Sequence, residues 1–156
     1  MTTDVQGAMA ARRLTRSRQH DDNKRLGFFV YGTLRPGYPN YKHCLSDVRH
    51  TVVPASLAGA RMFATGRPFP YVSTKGARPE DVVVGALIEV APEHYAGALQ
   101  RLDWLEGHPR HYTRTATVVT TEAGPVEAWA YLAGPGTEAS LSEDEVVASG
   151  DWAKVA

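Results

Sequence analysis

One carboxylate in this 156-residue chain breaks the pattern around it. Tyr95, Ala98, Leu99, Leu102 and Leu105 recur at three- and four-residue spacing behind Pro92, which suits a first helical position. Gly107 and Pro109 mark the end of that helix. With successive residues about 100° apart, Glu106 falls inside the apolar arc, between Leu99 and Leu102, while Trp104 points the other way. A carboxylate on a core face violates the binary pattern. Desolvation there raises its pKa, and the negative end of the helix dipole acts in the same direction. A carboxyl group poised nearer neutrality suits general acid–base chemistry. The other reading is that the helix has frayed before Gly107 and the side chain reaches water. The pattern leaves both open.

A second candidate is Tyr31-Gly32-Thr33-Leu34-Arg35-Pro36-Gly37. An uncharged run, Gly27 to Tyr31, feeds a glycine-containing turn. Such a turn can aim successive backbone N–H groups at one point, as an anion or oxyanion site requires. Gly32 lets the backbone approach a ligand closely. An ordinary strand-to-loop turn reads the same way. Neither a P-loop nor a dinucleotide fingerprint fits, because no Gly-Lys-Ser/Thr follows and no G-x-G-x-x-G opens a helix.

The remaining candidates are weaker. His43 and Cys44 are adjacent, so on a helix they diverge, and Cys44 reads as a small core residue. His108 and His111 lack a third metal ligand. Ser140 to Glu145 reads as a capped helix start, with Ser142 and Glu145 at capping-box spacing. No G-x-S-x-G nucleophile elbow is present.

The elements that must position these residues follow from the rest of the chain. Val82 to Val90 and Tyr112 to Thr121 read as strands. The latter forms a hairpin with Val126 to Leu132 through a turn at Glu122 to Pro125. Asn40 to Asp47 forms a short helix. Two β-like stretches, Val52-Val53 and Leu57 to Met62, are separated by Pro54, and Phe69 to Thr74 is a short strand. Gly134-Pro135-Gly136 closes the last long strand. About six strands and one to three helices imply an α+β fold with a mostly antiparallel, closable sheet.

Composition bounds the class. A 43% hydrophobic, 22% charged chain of this length is one ordinary globular domain. Net charge is zero, which argues against nucleic acid as a partner. The single cysteine excludes an internal disulfide and a cysteine zinc cage. No apolar run approaches the roughly 18 residues of a membrane span, so a soluble, cytoplasmic protein is expected. Residues 1–25 carry six basic and three acidic side chains without apolar periodicity. They read as a disordered basic extension, and residues 26–156 as the domain.

Three segments together resemble the γ-glutamylcyclotransferase-like (AIG2-like) family. Val30-Tyr31-Gly32-Thr33-Leu34-Arg35-Pro36-Gly37 is similar to its opening motif. Leu102-Asp103-Trp104-Leu105-Glu106-Gly107, followed by Tyr112-Thr113-Arg114, is similar to the stretch around its catalytic glutamate. Ala128-Trp129-Ala130-Tyr131 and Gly150-Asp151-Trp152 are similar to its closing strand and C-terminal end. The resemblance implies a small mixed, mostly antiparallel β-barrel with flanking helices and a cavity at the first loop. It implies an enzyme, classed as a transferase or lyase, that releases 5-oxoproline and an amine from a small γ-glutamyl substrate without metal or organic cofactor. It maps the catalytic glutamate onto Glu106 and substrate binding onto Tyr31, Gly32, Thr33 and Leu34. Tyr112 and Tyr131 are cavity hydroxyl donors or core aromatics. The alternative within the same fold is a binding protein for a small anionic metabolite. Leaving amine and oligomeric state are not readable from these motifs.

The abrupt change from the Arg-rich head to Phe28-Phe29-Val30 generates a prediction. Limited proteolysis should remove the head and leave a resistant domain; cleavage there that unfolds the remainder would contradict the assignment.

Overall fold

The computed structural model describes residues 24–155. In chain order the elements are β1 (Gly27–Val30), α1 (Pro39–Leu45), β2 (His50–Ala58), β3 (Arg61–Phe63), β4 (Tyr71–Ser73), β5 (Val82–Val90), α2 (Pro92–Leu105), β6 (Tyr112–Thr121), β7 (Gly124–Ala133) and α3 (Pro135–Ser140). Short 3-10 turns follow at Glu143–Glu145 and Trp152–Lys154. Five strands close a barrel in the order β1-β5-β2-β6-β7, and β3 pairs with β4 in a separate ribbon. The pairings are antiparallel except where β1 meets β7, which is parallel. This is the mixed, mostly antiparallel barrel with flanking helices that the sequence implied.

Closure depends on β1. It is only four residues long, yet Phe28 pairs with Ile88 on one side and with Trp129 on the other. Its side chains alternate between two packed layers, as strand geometry requires. Phe28 and Val30 join Ile88, Trp129 and the buried face of α2, from which Tyr95, Ala98 and Leu102 project. Phe29 and Tyr31 join Met62, Leu87, Val119 and Ala130. Burying each large side chain contributes about 1.5–3 kcal/mol, so even a short strand is held firmly when both its faces are covered.

Four local expectations are corrected. β2 runs unbroken through Pro54, which pairs with Ala86. Proline tolerates this because β2 is paired to β6 only at Ser56, so its far side is nearly an edge. The hairpin turn is tighter than expected, since Thr121 already pairs with Gly124. Gly134 does close β7, but Pro135 then opens α3, at the first helical position where a missing N–H costs nothing. The Ser142–Glu145 box caps a single 3-10 turn instead of a longer helix, with the Ser142 N–H donating to Glu145 Oε1 at 2.9 Å.

Most of the basic head lies outside the described residues. Its last two residues already touch the domain: Lys24 pairs with Glu127 at 3.1 Å, and the Arg25 guanidinium lies 5.4 Å from the Tyr95 ring centre. No helix among the described residues is long and apolar enough to cross a membrane.

Gly85 is where β5 comes closest to β1. A Cβ there would sit 2.2 Å from the Val30 carbonyl oxygen. Gly85→Ala should therefore push β1 off β5 and lower stability by about 1–3 kcal/mol, the scale of overpacking. Urea unfolding checks this, and an unchanged midpoint would show that the two strands can separate freely.

Candidate active site

Glu106 sits where α2 stops. Its own backbone stays helical (φ −83°, ψ −4°), and its N–H still donates to the Leu102 carbonyl at 3.0 Å. The chain then turns at Gly107, whose φ of +64° is the left-handed conformation that glycine adopts without a Cβ penalty. Gly107 N–H donates to Trp104 O at 3.2 Å and His108 N–H to Asp103 O at 3.0 Å. This pair of bonds is a Schellman ending. It preserves the helical phase up to Glu106, so the carboxylate keeps the face that periodicity gave it. Fraying is not what happens.

That face opens onto a cavity of about 180 Å³. Burial pushes the Glu106 carboxyl up to about 7. Among the described residues no group donates a hydrogen bond to it. Asp103, one turn earlier, is in a different state. Its Oδ1 accepts from the Arg114 Nε at 2.9 Å and from the Tyr131 hydroxyl at 2.6 Å. Arg114 in turn lies over the Trp129 ring, 4.4 Å from its centre. Asp103 is thus committed to structure, and its carboxylate is not free in the way that of Glu106 is.

The turn after β1 forms the facing wall. Tyr31, Gly32, Thr33, Leu34, Tyr112 and Tyr131 all line the same cavity as Glu106. Arg35 N–H donates to Gly32 O at 3.0 Å and closes the turn. Among the described residues the N–H groups of Gly32, Thr33 and Leu34 meet no protein acceptor. The three tyrosine hydroxyls all donate within the protein. Tyr31 donates to the Tyr131 carbonyl, Tyr112 to Pro70 O at 2.7 Å, and Tyr131 to Asp103. Burial, then nearby groups including Glu106, raises the pKa of Tyr31 and of Tyr112. Burial first and the bond to Asp103 second do so for Tyr131. Each therefore keeps its proton and spends it inside the protein.

The chain matches the family model "Gamma-glutamyl cyclotransferase, AIG2-like" over residues 28–154. It belongs to this family. The Methanocaldococcus jannaschii protein named "Putative gamma-glutamylcyclotransferase MJ1514" is 30% identical over 105 residues, covering 67% of this chain and 81% of that protein. The crystal structure of a mouse AIG2-like protein superposes with a TM-score of 0.56 at 25% identity, over 78% of this chain and 87% of that one. An uncharacterized Pyrococcus horikoshii protein, PH0828, shares the fold with a TM-score of 0.55 at 20% identity, over 83% of this chain and 92% of the other.

Within this AIG2-like domain, the cavity also takes in residues for which the sequence suggested no part in substrate binding. Asn40 comes from α1, and its Nδ2 donates to Thr33 Oγ1 at 2.8 Å, bracing the turn. Leu105 lines the cavity beside Glu106. Phe69, Pro70 and His111 close the far side. His111 packs edge-on against Tyr112, with centroids 4.8 Å apart, and its Nε2 is 2.6 Å from the Tyr71 hydroxyl. Burial, with the charge of Arg67 second, lowers its pKa. His108 instead accepts from the Arg114 N–H through Nδ1 at 2.9 Å, so the two histidines diverge. Among the described residues no three His, Cys, Asp or Glu side chains could hold a metal. Cys44 is buried between the helices and the barrel. Gly32 also has a reason the sequence did not show: a Cβ there would lie 2.8 Å from Pro70 Cδ.

The raised pKa of Glu106 links to stability. Its folded value, about 7, exceeds the ordinary 4.5. The folded state therefore holds the proton longer, and stability falls as pH rises from about 4.5 to about 7. Glu106→Gln removes that loss. The variant should match the wild type below pH 4.5 and exceed it above pH 7 by up to about 3 kcal/mol. Urea unfolding across this window checks it; parallel pH profiles would mean that the carboxylate is well solvated.

Proposed function

We propose that this chain cyclises γ-glutamyl compounds, releasing an amine and 5-oxoproline, with Glu106 as the single proton carrier. The observation that carries the reading is the Glu106 carboxyl held in the cavity at a pKa of about 7, without a cation to fix its charge. At neutral pH the substrate's α-amine is an ammonium ion and cannot attack. Glu106, in its carboxylate form, takes one proton from it. The freed nitrogen attacks the γ-carbonyl carbon, forming the five-membered ring through a tetrahedral oxyanion. The C–N bond to the leaving amine then breaks as Glu106 returns the proton to that nitrogen; the carboxylate next takes the second proton from the ring nitrogen and passes it to the released amine, leaving a neutral lactam and an ammonium ion. One carboxyl group near neutrality serves each transfer. No water is consumed.

The unpaired N–H groups of the Gly32–Leu34 turn suit the developing oxyanion. Their rigidity comes from the Arg35–Gly32 turn bond and from Asn40 on Thr33. Ring closure is intramolecular, so holding the substrate folded supplies much of the remaining acceleration. The protonated tyrosines shape the walls and add no charge. Intact, uncompensated Glu106 also weighs against a pure anion-binding role, because a nearby carboxylate repels such a ligand.

Mass spectrometry for 5-oxoproline, over a panel of γ-glutamyl amines and γ-glutamyl dipeptides, tests the reaction. Glu106→Gln should fold, retain substrate binding and lose turnover by roughly 10²–10⁴-fold. In the wild type, kcat/KM should climb with pH and level off above an inflection near 7, as the carboxylate form becomes populated. Near-normal turnover by the variant would remove Glu106 from the mechanism.

A further inference from the structure

We infer that Asn40 is a positioning residue: its amide turns the Thr33 hydroxyl so that the proton is left for the cavity, where it joins the N–H groups of the turn in holding the substrate's γ-carbonyl oxygen. The inference rests on the γ-glutamyl reading above and deepens it, by adding one oriented side-chain donor to the place where charge develops.

Thr33 and Asn40 both line the cavity that holds Glu106, and each is half-buried. They come from different elements. Thr33 is the middle residue of the Gly32–Leu34 turn, and Asn40 is the second residue of α1. Asn40 lies one helical turn before Cys44 and so shares its face. Cys44 and Leu45 are buried. The Arg101 Nη2 donates to the Cys44 carbonyl at 3.1 Å and ties α1 to α2. The amide therefore meets Thr33 from a place that the turn does not itself set.

A threonine hydroxyl has one proton to give and two lone pairs to receive with. In the contact with Asn40 it receives: Nδ2 donates to Thr33 Oγ1 at 2.8 Å. The hydroxyl proton must then point away from Asn40. Among the described residues nothing accepts it. The tyrosine hydroxyls of the cavity are different, since Tyr31, Tyr112 and Tyr131 each donate within the protein. Thr33 keeps its proton for a ligand. It stands on the same turn as the N–H groups that meet no protein acceptor, and a donor set in place before the reaction costs no reorganisation as charge appears. Bracing the turn would need a hydrogen bond in either direction. The direction decides what is left for the substrate.

The test reverses that direction. Asn40→Asp keeps the shape and the bond, but a carboxylate only accepts, so the Thr33 proton turns to it and away from the cavity. An aspartate in the first turn of a helix is well tolerated. On the full-length protein, kcat/KM is read from 5-oxoproline release with γ-glutamyl-alanine, on the plateau above the Glu106 inflection. Thr33→Val should lose on the order of 10²-fold, the scale of one oxyanion donor. Thr33→Ser, which restores a hydroxyl, should recover most of that loss. Asn40→Asp should lose about as much as Thr33→Val. Asn40→Ala should lose less, because the hydroxyl is then free to turn either way. Asn40→Asp added to Thr33→Val should cost nothing further, which separates the hydroxyl's direction from the new charge. If Asn40 only braces the turn, the order inverts: Asn40→Ala is the slower variant and Asn40→Asp stays close to the wild type. That inversion, an undiminished rate in Thr33→Val, or a further loss in the double variant would overturn the assignment while leaving the reaction standing. No 5-oxoproline from the wild type on any γ-glutamyl substrate would overturn the cyclisation reading, and this inference with it.

Discussion

A carboxyl group stays near neutrality only where its burial is not offset by a cation or by several N–H donors. The surroundings of Glu106 are organised around that constraint. Three arginines near it are engaged elsewhere. Arg114 is held by Asp103 on one side and by the Trp129 ring on the other. Arg35, which leaves the turn beside the cavity, pairs with Asp151 at 2.8 Å. Arg101 reaches the Cys44 carbonyl. Asp103 ties that end of α2 to Arg114 on β6 and to Tyr131 on β7.

The barrel supplies the rest by bringing three remote segments to one point. Parallel pairing of β1 with β7 sets Phe29 beside Ala130; Tyr31, just past the end of β1, and Tyr131, next on β7, both reach the cavity. The Tyr31 hydroxyl on the Tyr131 carbonyl then locks the start of the turn to β7. The antiparallel β6–β7 pairing sets Arg114 opposite Tyr131, so both reach Asp103 from the same side. A second line of bonds runs from the Trp129 Nε1 to the Tyr95 hydroxyl at 3.1 Å, and from that hydroxyl to Leu26 O at 2.5 Å. Helix α2, which carries the carboxyl, is thereby fixed to the strand that carries the facing turn.

How much of this was legible in the sequence follows from what each feature depends on. The phase of α2 was readable because it is local, set by apolar spacing and ended by a left-handed glycine. Strands β5 and β6 were readable for the same reason. The uninterrupted course of β2 through Pro54 was not, because it depends on which neighbour fails to pair with it. The engagement of all three tyrosine hydroxyls was not readable either, since their acceptors, Pro70 O, Tyr131 O and Asp103, lie across the barrel. Asn40 and His111 belong to the same class. Asn40 carries no mark in its own segment and His111 stood out only as half of an incomplete metal pair, so only the fold sets them on the cavity. Gly32 shows the two kinds combined: its presence in a turn was visible, its packing against Pro70 was not.

The division between legible and hidden parts also divides the site physically. One side is built from β1, its turn, β6 and β7, whose positions are locked by barrel pairing and by buried hydroxyl bonds. A change there propagates through closure of the sheet, so this side has little freedom to vary. The outward surfaces of α1 and α2 are different: His43, Gln100 and Trp104 project there without supporting the core. Substitution there disturbs few buried contacts, so the surface can change while Glu106 and the turn stay fixed. For the chemistry proposed above, the rigid side suits the constant acyl half of a substrate.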